Sequence, residues 1–112
     1  MALHETKKNV KIIDEMLFYF VEKGFIDVTI DCHFNKVETI IEFTVFDNER
    51  LLDECLKNDI YVERDAEVEE YGYELMGESD TASELQLVGM LIDSIDIIRN
   101  NDIIKVVLKR NK

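Results

Sequence analysis

The sequence predicts an α+β domain built as a two-layer sandwich, with helices on one face of a mainly antiparallel or mixed sheet. Three observations lead to this fold class. Apolar residues recur at helical spacing near the start of the chain, two hairpins with a period of two follow at separate places, and a second helical repeat precedes the last hairpin. With 112 residues, 46% of them hydrophobic, the chain 1–112 is expected to form a single domain around one core.

The first helix is expected from about Leu3 to Lys23, with Gly24 as its C-terminal cap. The residues that recur at helical spacing, and that we expect to face the core, are Val10, Ile13, Leu17, Phe20 and Val21. The apolar residues that lie off this predicted core stripe are Ile12, Phe18 and Tyr19. These three are expected to leave an apolar patch on the surface, which makes a homodimer plausible.

The first hairpin is predicted between Ile26 and Phe46, because apolar and polar residues alternate on both sides of a turn at Asn35 and Lys36. After it, Asp47 is expected to end the strand and to cap a short helix. The apolar residues expected on that helix are Leu51, Leu52, Cys55 and Leu56.

The segment from about 58 to 80 is predicted to be an acidic, lid-like loop or a partial helix, because glutamates and glycines interrupt the apolar pattern there. A helix is expected next, whose core-facing residues are Leu85, Val88, Leu91 and Ile92. The last hairpin turns at Asn100, Asn101 and Asp102. Its second strand is expected to bury Ile104, Val106 and Leu108.

The charge is distributed unevenly. The net charge is −12, and the stretch from Asp47 to Glu84 carries fourteen acidic residues against three basic ones, a net of −11. This excess argues against nucleic acid and against anionic membranes as partners, because both need a basic surface. A protein partner, basic in character, fits better.

Cysteine usage and the start of the chain predict a cytoplasmic protein. Cys32 and Cys55 lie far apart without CxxC spacing, so buried free thiols are expected, with a disulfide as the alternative. The opening residues lack the apolar core of a signal peptide. With only two histidines, far apart in the sequence, no metal site is expected.

The order of predicted elements and the stretch EMLFYFVEKG, from Glu15 to Gly24, resemble the histidine-kinase-like ATPase domain of gyrases and sensor kinases. The resemblance is greatest to the anti-sigma-factor serine kinases. The first motif of that family reads E-x-x-x-N-x-x-x-H/K-G, and here Glu15, Lys23 and Gly24 match it. Tyr19 stands where the family has the asparagine that holds magnesium, and a tyrosine hydroxyl is a poor ligand for that ion.

The other two family motifs are also incomplete. In the second, Asp47 matches the aspartate that accepts a hydrogen bond from adenine, but Glu49 replaces a glycine that lets the backbone approach the base. In the third, Ser83 and Leu85 stand at the glycines that wrap the phosphates, and Glu84 between them repels phosphate. The resemblance therefore implies the family's fold with a degenerate nucleotide pocket, and no cofactor is expected, although ATP with magnesium remains an alternative.

Several candidate residues have two interpretations. Glu15 is the catalytic base that the resemblance implies, or a solvent-facing helix residue. Asp47 either accepts a hydrogen bond from adenine or caps the end of the strand. Tyr19 packs against the sheet or lies at an interface, in preference to acting as a nucleophile.

Three functions follow from these observations. The first, which we favour, is a regulatory protein–protein interaction module that keeps the family's fold and does not bind ATP. The second is an ATP-dependent serine kinase of the anti-sigma-factor type. The third is an unrelated small α+β domain whose function the fold does not reveal.

Overall fold

The computed structural model describes residues 3–60, 62 and 85–111. Within these ranges the chain begins with a long helix and a hairpin, continues with a short helix, and ends with another short helix and a second hairpin. The elements are α1 (Leu3–Glu22), β1 (Ile26–Phe34), β2 (Glu38–Phe46), α2 (Leu52–Asp59), α3 (Leu85–Leu91), β3 (Ser94–Asn100) and β4 (Ile103–Asn111).

The four strands of the described ranges form one sheet in the order β1-β2-β4-β3. Every neighbouring pair is antiparallel. The two hairpins therefore join through the central strands β2 and β4, and β1 and β3 lie at the edges. The α+β class and the two-layer arrangement with an antiparallel sheet are confirmed.

One face of the sheet is covered by the helices. On β2 the core-facing residues are Ile41, Phe43 and Val45, which pair in register with Leu108, Val106 and Ile104 of β4. They share one buried cluster with residues of all three helices. The predicted core residues of α3 and its end (Leu85, Val88, Leu91 and Ile92) are buried there as expected.

The predicted core stripe of α1 is wrong in part. Phe20 is fully buried as expected, but Val10 is 51% exposed and Val21 is 62% exposed. Ile12, which was expected on the surface, is buried instead. Tyr19 is also buried, which agrees with the interpretation that it packs against the sheet and not with its place in a surface patch. The residues of α1 that form the core are Ile12, Met16, Tyr19 and Phe20.

The reason for this rotation is that α1 carries apolar residues on two opposite faces, so helical spacing alone does not select one of them. Tertiary partners select the buried face. The ring of Phe20 packs edge to face against Phe43 of β2, with 5.3 Å between ring centroids. The side-chain amide of Asn9, also buried, donates to Thr39 Oγ1 at 3.3 Å.

Gly24 ends α1 as predicted. Its φ of 89° lies in the left-handed region that glycine adopts at low cost. The N–H of Phe25 then donates to the carbonyl of Phe20 at 2.9 Å, and the N–H of Gly24 donates to the carbonyl of Val21 at 3.0 Å. This pair of bonds is a Schellman motif, and it directs the chain into β1.

The turn of the first hairpin also forms where the sequence predicted it. Asn35 Oδ1 accepts hydrogen bonds from the N–H groups of Val37 and Glu38, at 2.9 and 2.8 Å. This Asx-type turn explains how the hairpin closes without a glycine.

Most of the predicted acidic segment, 58–80, lies outside the described residues. Among the residues that are described, no helix is both long and apolar enough to cross a membrane.

Candidate functional site

Asp47 stands at the end of β2, where the chain turns into α2, and its side chain is almost completely buried. Its carboxylate accepts hydrogen bonds from the N–H groups of Leu51, at 3.2 Å, and of Leu52, at 3.0 Å, at the start of α2. Leu51, the N-cap residue, makes no side-chain capping bond of its own. Asp47 therefore caps α2 from four and five residues upstream, which agrees with the capping interpretation from sequence.

Arg99 of β3 completes this cluster. Its Nη2 donates to Asp47 Oδ2 at 2.6 Å, and its Nη1 donates to the backbone carbonyl of Asp47 at 3.3 Å. The same guanidinium donates through Nε to Asp53 Oδ1 at 3.1 Å, and Nη2 also contacts that oxygen. We call Asp47, Asp53 and Arg99 the Asp47 cluster. It ties the end of β2, the first turn of α2 and the edge strand β3 together.

The surroundings of Asp47 stabilise its charged form. Burial alone raises the pKa of a carboxyl group, but here hydrogen bonds from Leu52, Arg99 and Leu51 and the charge of Arg99 outweigh that effect. The net result is a pKa for Asp47 below its ordinary value. The carboxylate is thus ionised and fully engaged within the chain.

Tyr19 lies on the buried face of α1 with 3% of its surface exposed. Its hydroxyl donates to Asp59 Oδ2 at 2.8 Å and so connects α1 to the last turn of α2. Burial and the Asp59 carboxylate both raise the pKa of Tyr19 well above its ordinary value. The phenol therefore stays neutral and is a poor nucleophile, as the sequence suggested.

Lys23 and Asp47 lie beside one another at a small pocket between the end of α1 and the end of β2. The pocket has a volume of about 230 Å³. Its lining residues are Lys23, Gly24, Phe25, Phe46, Asp47, Asn48, Glu49 and Leu51. The Nζ atom of Lys23 also lies 5.6 Å from the centre of the Tyr19 ring, within range of a cation–π interaction.

The structure therefore brings together three of the residues that the sequence singled out. Asp47 and Lys23 share the pocket, and Tyr19 lies next to Lys23. Glu15 is half-buried on α1, one helical turn before Tyr19. Ser83 and Glu84 lie outside the described residues.

A second arginine, more deeply buried than Arg99, also escaped the sequence analysis. Arg110 of β4 is 2% exposed, and its guanidinium donates to both carboxylate oxygens of Glu5, at 2.5 and 2.8 Å. Its Nη1 donates to the carbonyl of Leu91 at 2.7 Å. Arg110 thus joins the start of α1 and the end of α3 to the central strand β4. Bidentate pairs of this kind are geometrically specific.

Both arginines did carry a sequence signal. On β3 the alternation of Ile95 and Ile97 continues into Arg99, and on β4 the alternation from Ile104 to Leu108 continues into Arg110. A charged residue at a core-facing position of a strand needs a buried partner of opposite charge. The period of two therefore pointed to an ion pair at each of these two positions, although it did not identify the carboxylates.

The cysteines are free, as predicted, but half-buried rather than buried. Burial, together with the neighbouring Asp31, raises the pKa of the Cys32 thiol, which makes it a poor nucleophile. In the part of the chain that the structure describes, no group of three or more His, Cys, Asp or Glu side chains is placed to hold a metal ion.

Comparison with protein-family models, with curated proteins and with solved structures finds no match to this chain.

Proposed function

We propose that this chain is a degenerate domain of the histidine-kinase-like ATPase fold that acts as a regulatory protein–protein interaction module and does not bind ATP. The observation that carries the proposal is the use of Asp47. In the family, the corresponding aspartate accepts a hydrogen bond from adenine. Here each of its carboxylate oxygens already accepts a hydrogen bond from a backbone N–H group at the start of α2. One of the two oxygens also accepts a hydrogen bond from Arg99.

Tyr19 supports the same conclusion. The resemblance assigns its position to the asparagine that holds magnesium, which needs a hard oxygen ligand. The Tyr19 hydroxyl instead donates a hydrogen bond to Asp59, and its ring packs in the core cluster. Two positions that the resemblance assigns to nucleotide binding are therefore occupied by contacts within the chain.

The pocket beside Asp47 is small for a nucleotide. Its volume of about 230 Å³ lies below the range of roughly 300–1,000 Å³ that is usual for ligand sites. Glu49 lines it, and a carboxylate there repels a phosphate group.

The interaction surface in this proposal is the side of α1 that faces away from the core. We define the outer α1 face by four apolar residues, Val10, Leu17, Phe18 and Val21. Val10, Phe18 and Val21 are 51%, 44% and 62% exposed, and Leu17 is half-buried. Apolar residues grouped on one exposed helix face are typical of a binding surface, whereas single ones are ordinary.

Nucleotide binding is tested by thermal unfolding with millimolar magnesium–ATP or magnesium–ADP. A ligand at a hundred times its dissociation constant stabilises a protein by about 2.7 kcal/mol, which would raise the midpoint of a domain this size by roughly 10 °C. We expect no change in the unfolding midpoint of this chain. An ATPase domain with intact motifs, measured as a positive control, should show the rise described. A clear upward shift would contradict the proposal and favour the kinase alternative.

The interaction surface is tested by affinity capture from cells that express the chain naturally. We expect the Val21→Glu variant to lose the proteins captured by the wild type, because a charge on the outer α1 face opposes burial of its apolar neighbours. Val37→Glu is the matched control, since Val37 is also an exposed valine, 73% accessible, but lies in the hairpin turn. Equal loss with both variants, or with neither, would count against this surface.

A further inference from the structure

We propose that the outer α1 face binds the same face of a second copy of this chain, with the two α1 helices antiparallel. This inference rests on the proposed function, because it names the partner of the surface defined above. Three features of α1 lead to it: the spacing of the exposed residues, the charge balance of the helix, and the order of charges along it.

The exposed residues have the spacing of a helix-pairing seam. Val10, Asp14, Leu17 and Val21 are separated by four, three and four positions, which is the a/d spacing of a coiled coil. Phe18 flanks this seam. Since α1 has 20 residues, it is about 30 Å long. The seam therefore covers more than half of the helix, on the side opposite the buried residues Ile12, Met16 and Phe20.

The charge balance makes α1 a favourable place for two copies to meet. Of the net charge of −12, −11 lies between Asp47 and Glu84, so two copies repel one another where these segments approach. From Leu3 to Lys23, however, four lysines balance four acidic residues. The lysines are Lys7, Lys8, Lys11 and Lys23, and the acids are Glu5, Asp14, Glu15 and Glu22.

The order of these charges selects the antiparallel orientation. Glu5 pairs with Arg110 within the chain and Lys8 is buried, so neither is available to a second copy. The charged residues in or beside the seam are Lys7 and Lys11 in the first half of α1 and Asp14 and Glu22 in the second half. In a parallel pair, like charges would lie side by side. In an antiparallel pair, the basic half of each helix lies along the acidic half of the other.

The C-terminal end of α1 is unfavourable for the helix alone. The helix dipole favours acids near the N-terminus and bases near the C-terminus. The first turn holds Glu5, which agrees with this preference, but the last turn holds Glu22 and no basic residue. An antiparallel second helix compensates the C-terminal end, because it brings its own lysines towards Glu22.

The geometry of the pair follows from a two-fold axis near the middle of α1. Val10 of one copy then packs against Val21 of the other, and Leu17 lies beside Asp14 of the other. Lys7 lies opposite Gly24 of the second copy, and its long side chain is then only two positions, about 3 Å along the helix axis, from Glu22. This contact occurs twice per dimer because the interface is isologous. One helix face provides less than the roughly 800 Å² per partner of a standard interface. We therefore expect a reversible dimer whose dissociation constant is in the micromolar range.

Sedimentation velocity of the full chain, from micromolar to millimolar concentration, tests the association. We expect monomer and dimer in rapid exchange for the wild type. Val21→Glu should raise the dissociation constant by about 100-fold, because it removes the apolar Val10–Val21 contact at both ends of the seam and adds two charges to the two Asp14 carboxylates already there. Val37→Glu should leave it unchanged. Circular dichroism of each variant checks that the fold is intact.

A charge exchange tests the antiparallel orientation. Lys7→Glu and Glu22→Lys should each weaken the dimer by roughly five-fold, since each creates two like-charge contacts. The double variant should return to the wild-type constant. The inference is overturned if the chain stays monomeric up to millimolar concentration, if Val21→Glu leaves the dimer intact, or if the double variant does not recover.

These results are separable from the test of the proposed function. A monomeric chain that nevertheless captures a different protein through the outer α1 face would overturn the second-copy inference and leave the interaction module standing. A nucleotide-induced shift in thermal stability would contradict the non-nucleotide function, whatever the state of association.

Discussion

Replacing Phe20 by alanine is expected to lower the free energy of unfolding by about 3–5 kcal/mol. Phe20 has no exposed surface, and its ring packs edge to face against Phe43 at 5.3 Å. It also lies 6.0 Å from the ring of Tyr19. The variant therefore loses the transfer free energy of a whole aromatic side chain and leaves a cavity between α1 and β2.

The matched control is the next residue. Val21→Ala is expected to change the free energy of unfolding by no more than about 0.5 kcal/mol, because Val21 is 62% exposed. Urea unfolding followed by circular dichroism measures both variants. The pair tests the rotation of α1 directly, since the sequence pattern placed Phe20 and Val21 on one buried stripe. A loss for Val21→Ala as large as that for Phe20→Ala would mean that the pattern was right and the observed facing is wrong.

Replacing Asp47 by alanine is the second large expected effect, a loss of about 3 kcal/mol. The substitution removes the cap of α2 and leaves the Arg99 guanidinium, which is 18% exposed, with Asp53 as its remaining carboxylate. It also leaves the N–H groups of Leu51 and Leu52 without their acceptor. Chemical unfolding at neutral pH measures the loss.

Asp53→Ala is the control for this prediction. Asp53 contacts the same guanidinium, but its side chain is 31% exposed, so solvent screens the pair. We expect a loss of no more than about 1 kcal/mol. If the two substitutions cost the same, the Asp47 cluster is a surface ion pair and not the buried connection described above.

The Asp47 contribution should depend on pH in a defined direction. Because the pKa of Asp47 is lowered in the folded state, its contribution is fully present above the pKa of an unfolded aspartate, about 3.9. It is lost as the pH falls further, through the lower pKa of the folded state. The difference in stability between wild type and Asp47→Ala should therefore be constant from neutral pH to about pH 5 and shrink below pH 4. A difference that grows on acidification would contradict the assignment.

The proposed interaction surface and the fold depend on different parts of α1. The buried face of Ile12, Met16, Tyr19 and Phe20 holds the helix on the sheet. The opposite face, with Val10 and Val21, contributes little to the core. Substitutions on the outer α1 face are consequently expected to separate binding from stability, which makes this helix suited to testing function without unfolding the chain.

Much of the fold was predictable because its strands, turns and helix caps depend on local sequence patterns. The alternation in β1, β2 and β4, the turn at Asn35 and the cap at Gly24 all depend on residues close together in the sequence. The same holds for the capping role of Asp47, whose partners Leu51 and Leu52 lie within five residues. The functional assignment by resemblance does not have this support and remains a proposal.

The partners of the buried charges were not predictable in the same way. Arg110 pairs with Glu5 across 105 positions, Arg99 pairs with Asp47 across 52, and Tyr19 donates to Asp59 across 40. The alternation of residues along β3 and β4 indicates that Arg99 and Arg110 lie on the core-facing side of the sheet. The sequence does not show which of the many carboxylates in this acidic chain pairs with each arginine. Only the packing of the helices on the sheet selects among them.

The sequence by itself determined the type of each described element, the two hairpins and the sites of their turns, because steric preference and apolar period act locally. The tertiary structure alone decided which of the two apolar faces of α1 is buried. Each face satisfies the helical period, so the choice depends on long-range contacts: Phe20 against Phe43, Asn9 with Thr39, and Tyr19 with Asp59. The face left outside by those contacts is the surface proposed here to bind a second copy.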